Sequence, residues 1–133
     1  MRARQDGDPF TLSGFIGREE AVWTDTILRE CCFLWELGYR MTRAFFHLRG
    51  SSIDFVGPRG SVEFSAGDDF ESIHARIALA TFSGSIDDMP GARVGEIMVM
   101  RGGASLPGPY IERRLQEWAG TLRANIDLLR ERP

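Results

Sequence analysis

The chain has 133 residues, of which 43% are hydrophobic and 26% charged, a composition typical of a single globular domain. All 16 basic residues are arginine, which excludes the chemistry of a phosphate-loop lysine or a Schiff-base lysine. The net charge of −3 disfavours non-specific nucleic-acid binding, and no apolar run approaches the ~20 residues of a membrane-spanning helix.

The first residues of the chain are polar and lack the apolar core of a secretory signal. We therefore expect residues 1–9 to form a flexible tail and residues 10–133 to form a single α+β domain in the cytoplasm. The apolar residues directly after the tail are expected to pack on the core. These residues are Phe10, Leu12, Phe15 and Ile16.

An amphipathic helix is predicted over residues 18–37, and Gly38 is a suitable C-terminal stop. Glu19 and Glu20 lie in its first turn, where the helix dipole favours negative charge. Apolar residues at three- and four-residue spacing form its stripe: Trp23, Ile27, Cys31, Leu34 and Trp35.

Two adjacent cysteines, Cys31 and Cys32, fall inside this helix. Neighbouring helical positions point about 100° apart, so a disulfide between them would be strained. We expect both to be reduced packing residues, which agrees with a cytoplasmic location. The pair supplies too few ligands for a metal site.

Alternating apolar residues then predict five short strands joined by turns. The first strand begins near Tyr39, the next two flank a hairpin turn at residues 57–60, and the fourth is predicted over residues 73–79. A polar stretch, residues 83–93, is predicted to be a loop, and residues 94–100 are predicted to be the fifth strand.

A long amphipathic helix is predicted at the end of the chain, with Pro109 in its first turn. Its apolar stripe contains Ile111, Leu115, Trp118, Leu122, Ile126 and Leu129. The predicted order is α-β-β-β-β-β-α, an α+β fold with an antiparallel sheet of about five strands flanked by an N-terminal helix and a long C-terminal helix. Both helices would cover one face of the sheet.

Two acidic clusters fall in predicted turns: Asp68, Asp69 and Glu71 in one, Asp87 and Asp88 in the other. Aspartate is common in turns for local hydrogen-bonding reasons, so solvated turns are one interpretation. The other is a patch that binds a basic protein partner. The spacing matches no calcium loop, and we expect neither a metal nor another cofactor.

The aromatic residues are predicted mainly for the core. The three tryptophans fall on helix stripes, namely Trp23, Trp35 and Trp118. Phe46 directly follows Phe45, so one of the two points off the core face of a regular strand. With Arg40, Phe46 is predicted to form a partner-binding patch, and a homodimer interface is the alternative use of this surface.

The two histidines, His47 and His74, are assigned no catalytic role, because the sequence shows no partner at hydrogen-bond distance for either. His74 alternates with apolar positions and is predicted to point away from the core together with Arg76. No nucleophile elbow or phosphate-binding fingerprint is present, so a non-enzymatic function is favoured.

The helix that ends in a Gly-aromatic step (LWELGY, residues 34–39) and the hairpin SIDFVGPRGSVEF (residues 52–64) resemble the immunity proteins encoded beside bacterial polymorphic toxins. The resemblance is one of layout and covers roughly residues 18–131. It implies a stoichiometric inhibitor that plugs the active site of a toxin, and it assigns no catalytic residue.

A second resemblance is to the secretion-chaperone-like fold, which implies a homodimeric adaptor. That fold inserts a helix within its sheet, whereas residues 83–93 contain two glycines and a proline and make a poor helix. The third hypothesis is a small-molecule binder or enzyme, which predicts a polar cavity between helices and sheet that includes His47.

Overall fold

A computed structural model describes residues 18–47, 50–67, 70–100 and 104–130. Several predictions lie outside the described residues: the tail, the core packing of the apolar residues after it, and the placement of Asp68 and Asp69. Among the described residues, no helix is both long enough and apolar enough to cross a membrane.

The first predicted helix forms as two helices, α1 (Arg18–Glu30) and α2 (Phe33–Glu36). The chain leaves α2 at Gly38, as predicted, with a φ of 94° that glycine adopts without a steric penalty. The Tyr39 amide bonds back to the Leu34 carbonyl at 2.9 Å, as in a Schellman motif. This motif aims the chain into the first strand.

The break between α1 and α2 falls on the two cysteines, both of which are free thiols. The Sγ of Cys32 donates to the Arg29 carbonyl at 3.4 Å and so competes with the helical amide for that oxygen. The Leu34 amide bonds only three residues back, to Cys31, which tightens the turn. Cys31 is buried as predicted, but the packing role predicted for Cys32 is wrong, because the tightened turn leaves it exposed.

Five antiparallel strands form one sheet in chain order, which confirms the predicted meander. They are β1 (Arg40–His47), β2 (Gly50–Gly57), β3 (Gly60–Ala66), β4 (Ile73–Leu79) and β5 (Ser83–Ser85). β4 shows the predicted alternation, since Ala75, Ile77 and Leu79 are buried while His74 and Arg76 are exposed.

The hairpin between β2 and β3 turns where predicted, with Gly57 paired to Gly60. Gly60 has a φ of 147°, and a Cβ added there would lie 2.0 Å from the Ala78 carbonyl oxygen on β4. Both the positive φ and the close approach of a neighbouring strand require glycine at this position.

The fifth strand is not where the sequence predicts it. β5 comes from the polar stretch predicted as a loop, and the prediction of a strand at residues 94–100 is wrong. β5 follows β4 through a tight turn and pairs with it from Arg76 to Ala78, so β5 rather than the later segment occupies this part of the β4 edge.

Residues 92–100 instead run without regular structure. The Met98 amide bonds to the Tyr110 hydroxyl at 2.9 Å, and the Met100 amide bonds to the Glu71 carbonyl at 2.9 Å. Both methionines pack against the core, whereas Ile97 is 65% exposed. The apolar residues that suggest a strand therefore include two that pack on the core, and the Met98 and Met100 amides bond to partners outside any strand.

The predicted C-terminal helix forms as α3 (Gly108–Ala124) and a short α4 (Ile126–Leu129), with Pro109 in the first turn of α3 as expected. α1 and α3 pack against each other on the inner face of the sheet. The largest fully buried side chains of this core include Trp23, Tyr39, Phe55, Phe64, Ile27 and Leu115. The rings of Phe64 and Trp118 lie 6.4 Å apart, which ties the sheet to α3.

The outer face of the sheet carries polar side chains. The strand register places Asp54, Glu63 and Arg76 in one row across β2, β3 and β4. Val56, His74, Arg76 and Ala78 on this face are exposed. Helices therefore cover the inner face, and the described outer face meets solvent at these positions.

Candidate functional site

Trp35 lies on the surface at the step from α2 to β1. Its side chain is 46% exposed, so the prediction that it packs in the core is wrong, whereas Trp23 and Trp118 are buried as predicted. The tightened turn at the cysteines explains the difference, because it aligns Leu34 with the buried stripe of α1 and turns Trp35 outward.

Arg40 holds the Trp35 ring in place. Its guanidinium carbon lies 5.1 Å from the centre of the ring, a cation–π contact. Its Nη1 also donates to two main-chain oxygens, that of Trp35 at 2.9 Å and that of Tyr39 at 2.8 Å. These contacts fix the orientation of the exposed indole before any partner arrives.

Val56 extends this surface onto the sheet. It is paired with Arg40 across β1 and β2, and its side chain is 46% exposed. We name Trp35, Arg40 and Val56 the Trp35 patch. Tryptophan and arginine, two of its three residues, are among the residue types enriched in binding hot spots.

Phe46 lies near the other end of β1 from Arg40, with which it is predicted to share a patch. Their offset of six positions corresponds to roughly 20 Å along a strand. The structure describes the strand at Phe46, whereas its side chain lies outside the described part. The two residues therefore belong to opposite ends of β1, and the partner-binding role of Phe46 stays a prediction.

The predicted acidic patch is described only in part, because Asp68 and Asp69 lie outside the described residues. Asp87 and Asp88 follow β5 in a short 3₁₀ turn, where Asp88 is exposed. Glu71 precedes β4 and is half-buried. β5 runs antiparallel to β4, so Asp87, which comes after β5, lies towards the start of β4. Glu71 precedes this same end of β4.

Asp87 belongs to an ion network centred on Arg114, whose side chain is 3% exposed. Arg114 donates to Asp87 Oδ2 and to Glu117 Oε1, each at 2.6 Å. The Trp118 Nε1 donates to Asp87 Oδ1 at 2.9 Å, and the guanidinium carbon of Arg114 lies 4.7 Å from the centre of the Trp118 ring. The role of Arg114 could not be identified from the sequence, because no local pattern connects residues 27 positions apart.

The charges in this network offset one another. Burial alone would lower the pKa of Arg114, but the hydrogen bonds and charges of Glu117 and Asp87 raise it above its ordinary value. Both carboxylate oxygens of Asp87 are thus engaged within the chain. The partner-binding role of Asp87 stays a prediction, whereas its described contacts hold α3 to the end of the sheet.

Glu20 is a buried carboxyl group in α1. Desolvation raises its pKa to about 7, and its Oε2 has no hydrogen-bond partner among the described residues. Trp23 Nε1 and Thr24 Oγ1 follow at positions i+3 and i+4 on the same helix face, and they too have no partner within the described part of the chain. The sequence explains Glu20 by its place in the first turn, near the helix dipole. The structure adds that its carboxyl group is buried and has a pKa near 7.

Described residues line a cavity of about 480 Å³ on the outer side of α3, between Arg93 and the small residues Gly120 and Ala124. Another, of about 280 Å³, lies at the edge of β4 beside His74 and Arg76. The larger one lies away from the sheet, whereas the smaller one is also lined by Trp118 and so opens between α3 and the edge of β4.

Within the described ranges, no three His, Cys, Asp or Glu side chains come together as metal ligands. The described features that stand out are the Trp35 patch, the Arg114 network and the buried Glu20. Comparison of the chain with protein-family models, with curated proteins and with solved structures found no match.

Proposed function

We propose that this chain is a non-enzymatic protein-binding module that acts in the bacterial cytoplasm, and that the Trp35 patch is the centre of its interaction surface. The observation that carries the proposal is the exposed Trp35 ring, held by Arg40 beside the exposed Val56. Single exposed apolar residues are ordinary, but this cluster joins two residue types that dominate binding hot spots.

The fixed geometry of the patch favours tight binding. A flexible side chain loses conformational freedom when a partner immobilises it, at about 0.5–1.5 kcal/mol for each. Arg40 already restricts the indole through its stacking contact and its bonds to the carbonyls of Trp35 and Tyr39. Part of that entropic cost is therefore met in the free protein.

The partner we propose is a basic toxin domain, which makes the chain an immunity-type inhibitor that binds with one-to-one stoichiometry. The layout resemblance and the net charge of −3 support this proposal. Asp68, Asp69, Glu71 and Asp88 would supply the electrostatic attraction that speeds association. Asp87 contributes less, because Arg114 offsets its charge.

The test compares tagged baits in an extract of the native host, with bound proteins identified by mass spectrometry. The baits are the wild type, Trp35→Ala, Arg40→Ala and a control, Ile97→Ala, which removes an even more exposed apolar side chain elsewhere. We expect one stoichiometric partner that the wild type and the control retain. Loss of a hot-spot tryptophan costs at least about 2 kcal/mol, so Trp35→Ala should weaken binding about thirtyfold or more.

The purified partner then separates the hypotheses. An immunity-type inhibitor abolishes the partner's activity at a molar ratio of one, and Trp35→Ala shifts the inhibition curve to higher concentration. A partner that binds Trp35→Ala as tightly as the wild type would exclude this surface. A bound partner that stays fully active would exclude the inhibitor role, and recovery of only a second copy of the chain would favour the homodimeric adaptor.

A further inference from the structure

A cavity lined by both polar and apolar side chains lies where β5 ends along the edge of β4. β5 pairs only with residues from Arg76 to Ala78, so the first part of β4 has no described partner strand on this side. The chain turns away after Ser85 into the 3₁₀ turn, and a cavity of about 280 Å³ is left beside His74.

The strand register brings four polar side chains to this cavity. His74 is paired with Ser65 of β3, and Arg76 is paired with Ser85 of β5. His74 and Arg76 are two residues apart, so both point to the outer face, and paired positions lie about 5 Å from each other. All four residues line the cavity.

These groups have unused hydrogen-bonding capacity. Neither the Arg76 side chain nor the His74 side chain makes a hydrogen bond or ion pair with the described residues. The Ser85 hydroxyl oxygen accepts from the Asp87 amide at 3.1 Å, which leaves its proton available to a ligand. Three kinds of donor therefore converge here: a guanidinium, an imidazole and hydroxyl groups.

The carboxylates near the cavity are accounted for. Asp87 lines it, but Arg114 and Trp118 hold both of its oxygens, which offsets its charge. Glu63 lies opposite Arg76 on β3, yet the two form no described ion pair. The Arg76 guanidinium is thus the free positive charge of this cavity among the described residues, with Glu63 as its nearest competitor for an anion.

We propose that this cavity binds the phosphate group of a small molecule. An arginine fork with nearby hydroxyl donors matches the acceptor oxygens of phosphate. The cavity volume falls just below the range of about 300–1,000 Å³ found for drug-sized ligands, which suits a head group rather than a whole molecule of that size. The site is separate from the Trp35 patch and does not depend on the proposed protein partner.

The chain contains only two histidines, so proton NMR can follow this site directly. The imidazole signals of His74 are assigned by their loss in His74→Asn. The protein is titrated with inorganic phosphate at constant pH, with sodium chloride at matched ionic strength as reference. We expect a saturable shift of the His74 signals, with a Kd of about 1 mM, and no comparable shift of the His47 signals.

Three variants test the assignment. Arg76→Gln should weaken phosphate binding at least about tenfold, which corresponds to about 1.4 kcal/mol. Glu63→Gln removes the competing carboxylate and should tighten binding. Arg93→Gln is the matched control, since it removes an exposed arginine outside this cavity and should leave the Kd unchanged. Positions 76 and 93 are exposed, and circular dichroism checks that every variant folds.

Separate titrations distinguish the sources of the anion. Phenyl phosphate that binds more tightly than inorganic phosphate identifies a phosphate ester as the ligand class. Equal affinities identify free phosphate, and tighter binding of acetate would overturn the choice of phosphate. Shifts that affect both histidines alike, or that persist unchanged in Arg76→Gln, would show non-specific binding and overturn the site.

Discussion

The Arg114 guanidinium donates to the Asp87 carboxylate at 2.6 Å, and this contact joins the middle of the last long helix to the turn that ends the sheet. From the same helix, Glu117 accepts a second hydrogen bond from Arg114, and Trp118 donates one to Asp87. A buried charge of this kind is stable only while its partners remain, since an unpaired ion is costly away from water. The pair therefore fixes how α3 sits on the sheet edge.

Asp87→Asn should destabilise the fold by about 2–3 kcal/mol, because Arg114 then keeps only Glu117 as a charged partner. The free energy of unfolding is measured by urea titration. Asp88→Asn is the matched control: this neighbouring carboxylate is exposed, and its loss should change stability by less than about 0.5 kcal/mol. Equal losses in both variants would contradict the structural role of Asp87.

Gly60→Ala should destabilise the fold by at least about 2 kcal/mol, since the new Cβ would lie 2.0 Å from the Ala78 carbonyl oxygen at a φ of 147°. Gly120→Ala is the opposite case. Gly120 lies within α3, and a Cβ added there would meet open space, so alanine should stabilise the helix by about 1 kcal/mol. Thermal unfolding of the two variants should move the Tm in opposite directions.

Glu20 should make the fold less stable as the pH rises. Its pKa is about 7 in the folded chain, against an ordinary value of 4.5, so the folded state holds the proton more tightly. Its favourable contribution is complete below about pH 4.5, declines as the pH increases, and is lost above about pH 7. At about 1.4 kcal/mol for each pH unit, the total change is about 3 kcal/mol.

Urea titrations of the wild type and Glu20→Gln between about pH 4 and pH 8 measure this effect. The difference between the two stability profiles should vary with pH over that window, whereas Glu19→Gln, at the neighbouring position, should follow the wild type. Parallel profiles for wild type and Glu20→Gln would mean that this carboxyl titrates at its ordinary pKa.

Tyr110→Phe should release part of the segment at residues 92–100. The Tyr110 hydroxyl accepts from the Met98 amide, and phenylalanine leaves that amide without its partner. Hydrogen exchange at the Met98 amide should accelerate about tenfold. The Met100 amide, which bonds to the Glu71 carbonyl, is an internal control and should exchange at the rate of the wild type.

The parts of the fold that the sequence predicts correctly depend on local rules. Gly38 ends the first helical region because the turn that follows α2 needs a residue with a positive φ. Gly60 closes the hairpin, and the alternation of apolar and polar residues in β4 indicates that one face of the strand is buried. Each signal lies within a few residues of the structure that it specifies, so no knowledge of the tertiary fold is required.

The errors arise where distant segments decide the outcome. Nothing in Ser83–Ser85 favours a strand by residue type, and only its closeness to the edge of β4 makes it one. The outward turn of Trp35 follows from a break in the helix that an ideal 3.6-residue period cannot represent. The pairing of Arg114 with Asp87 requires both chain segments to be in place first.

The exposed thiol of Cys32 is a natural site for chemical labelling of the chain. Burial raises the pKa of Cys31 to about 12, so that sulfur remains a protonated thiol shielded from reagents, while its neighbour meets solvent. A maleimide dye should therefore attach to a single position, three residues before Trp35 in the chain. Fluorescence from that dye would report on contact at this surface without any engineered cysteine.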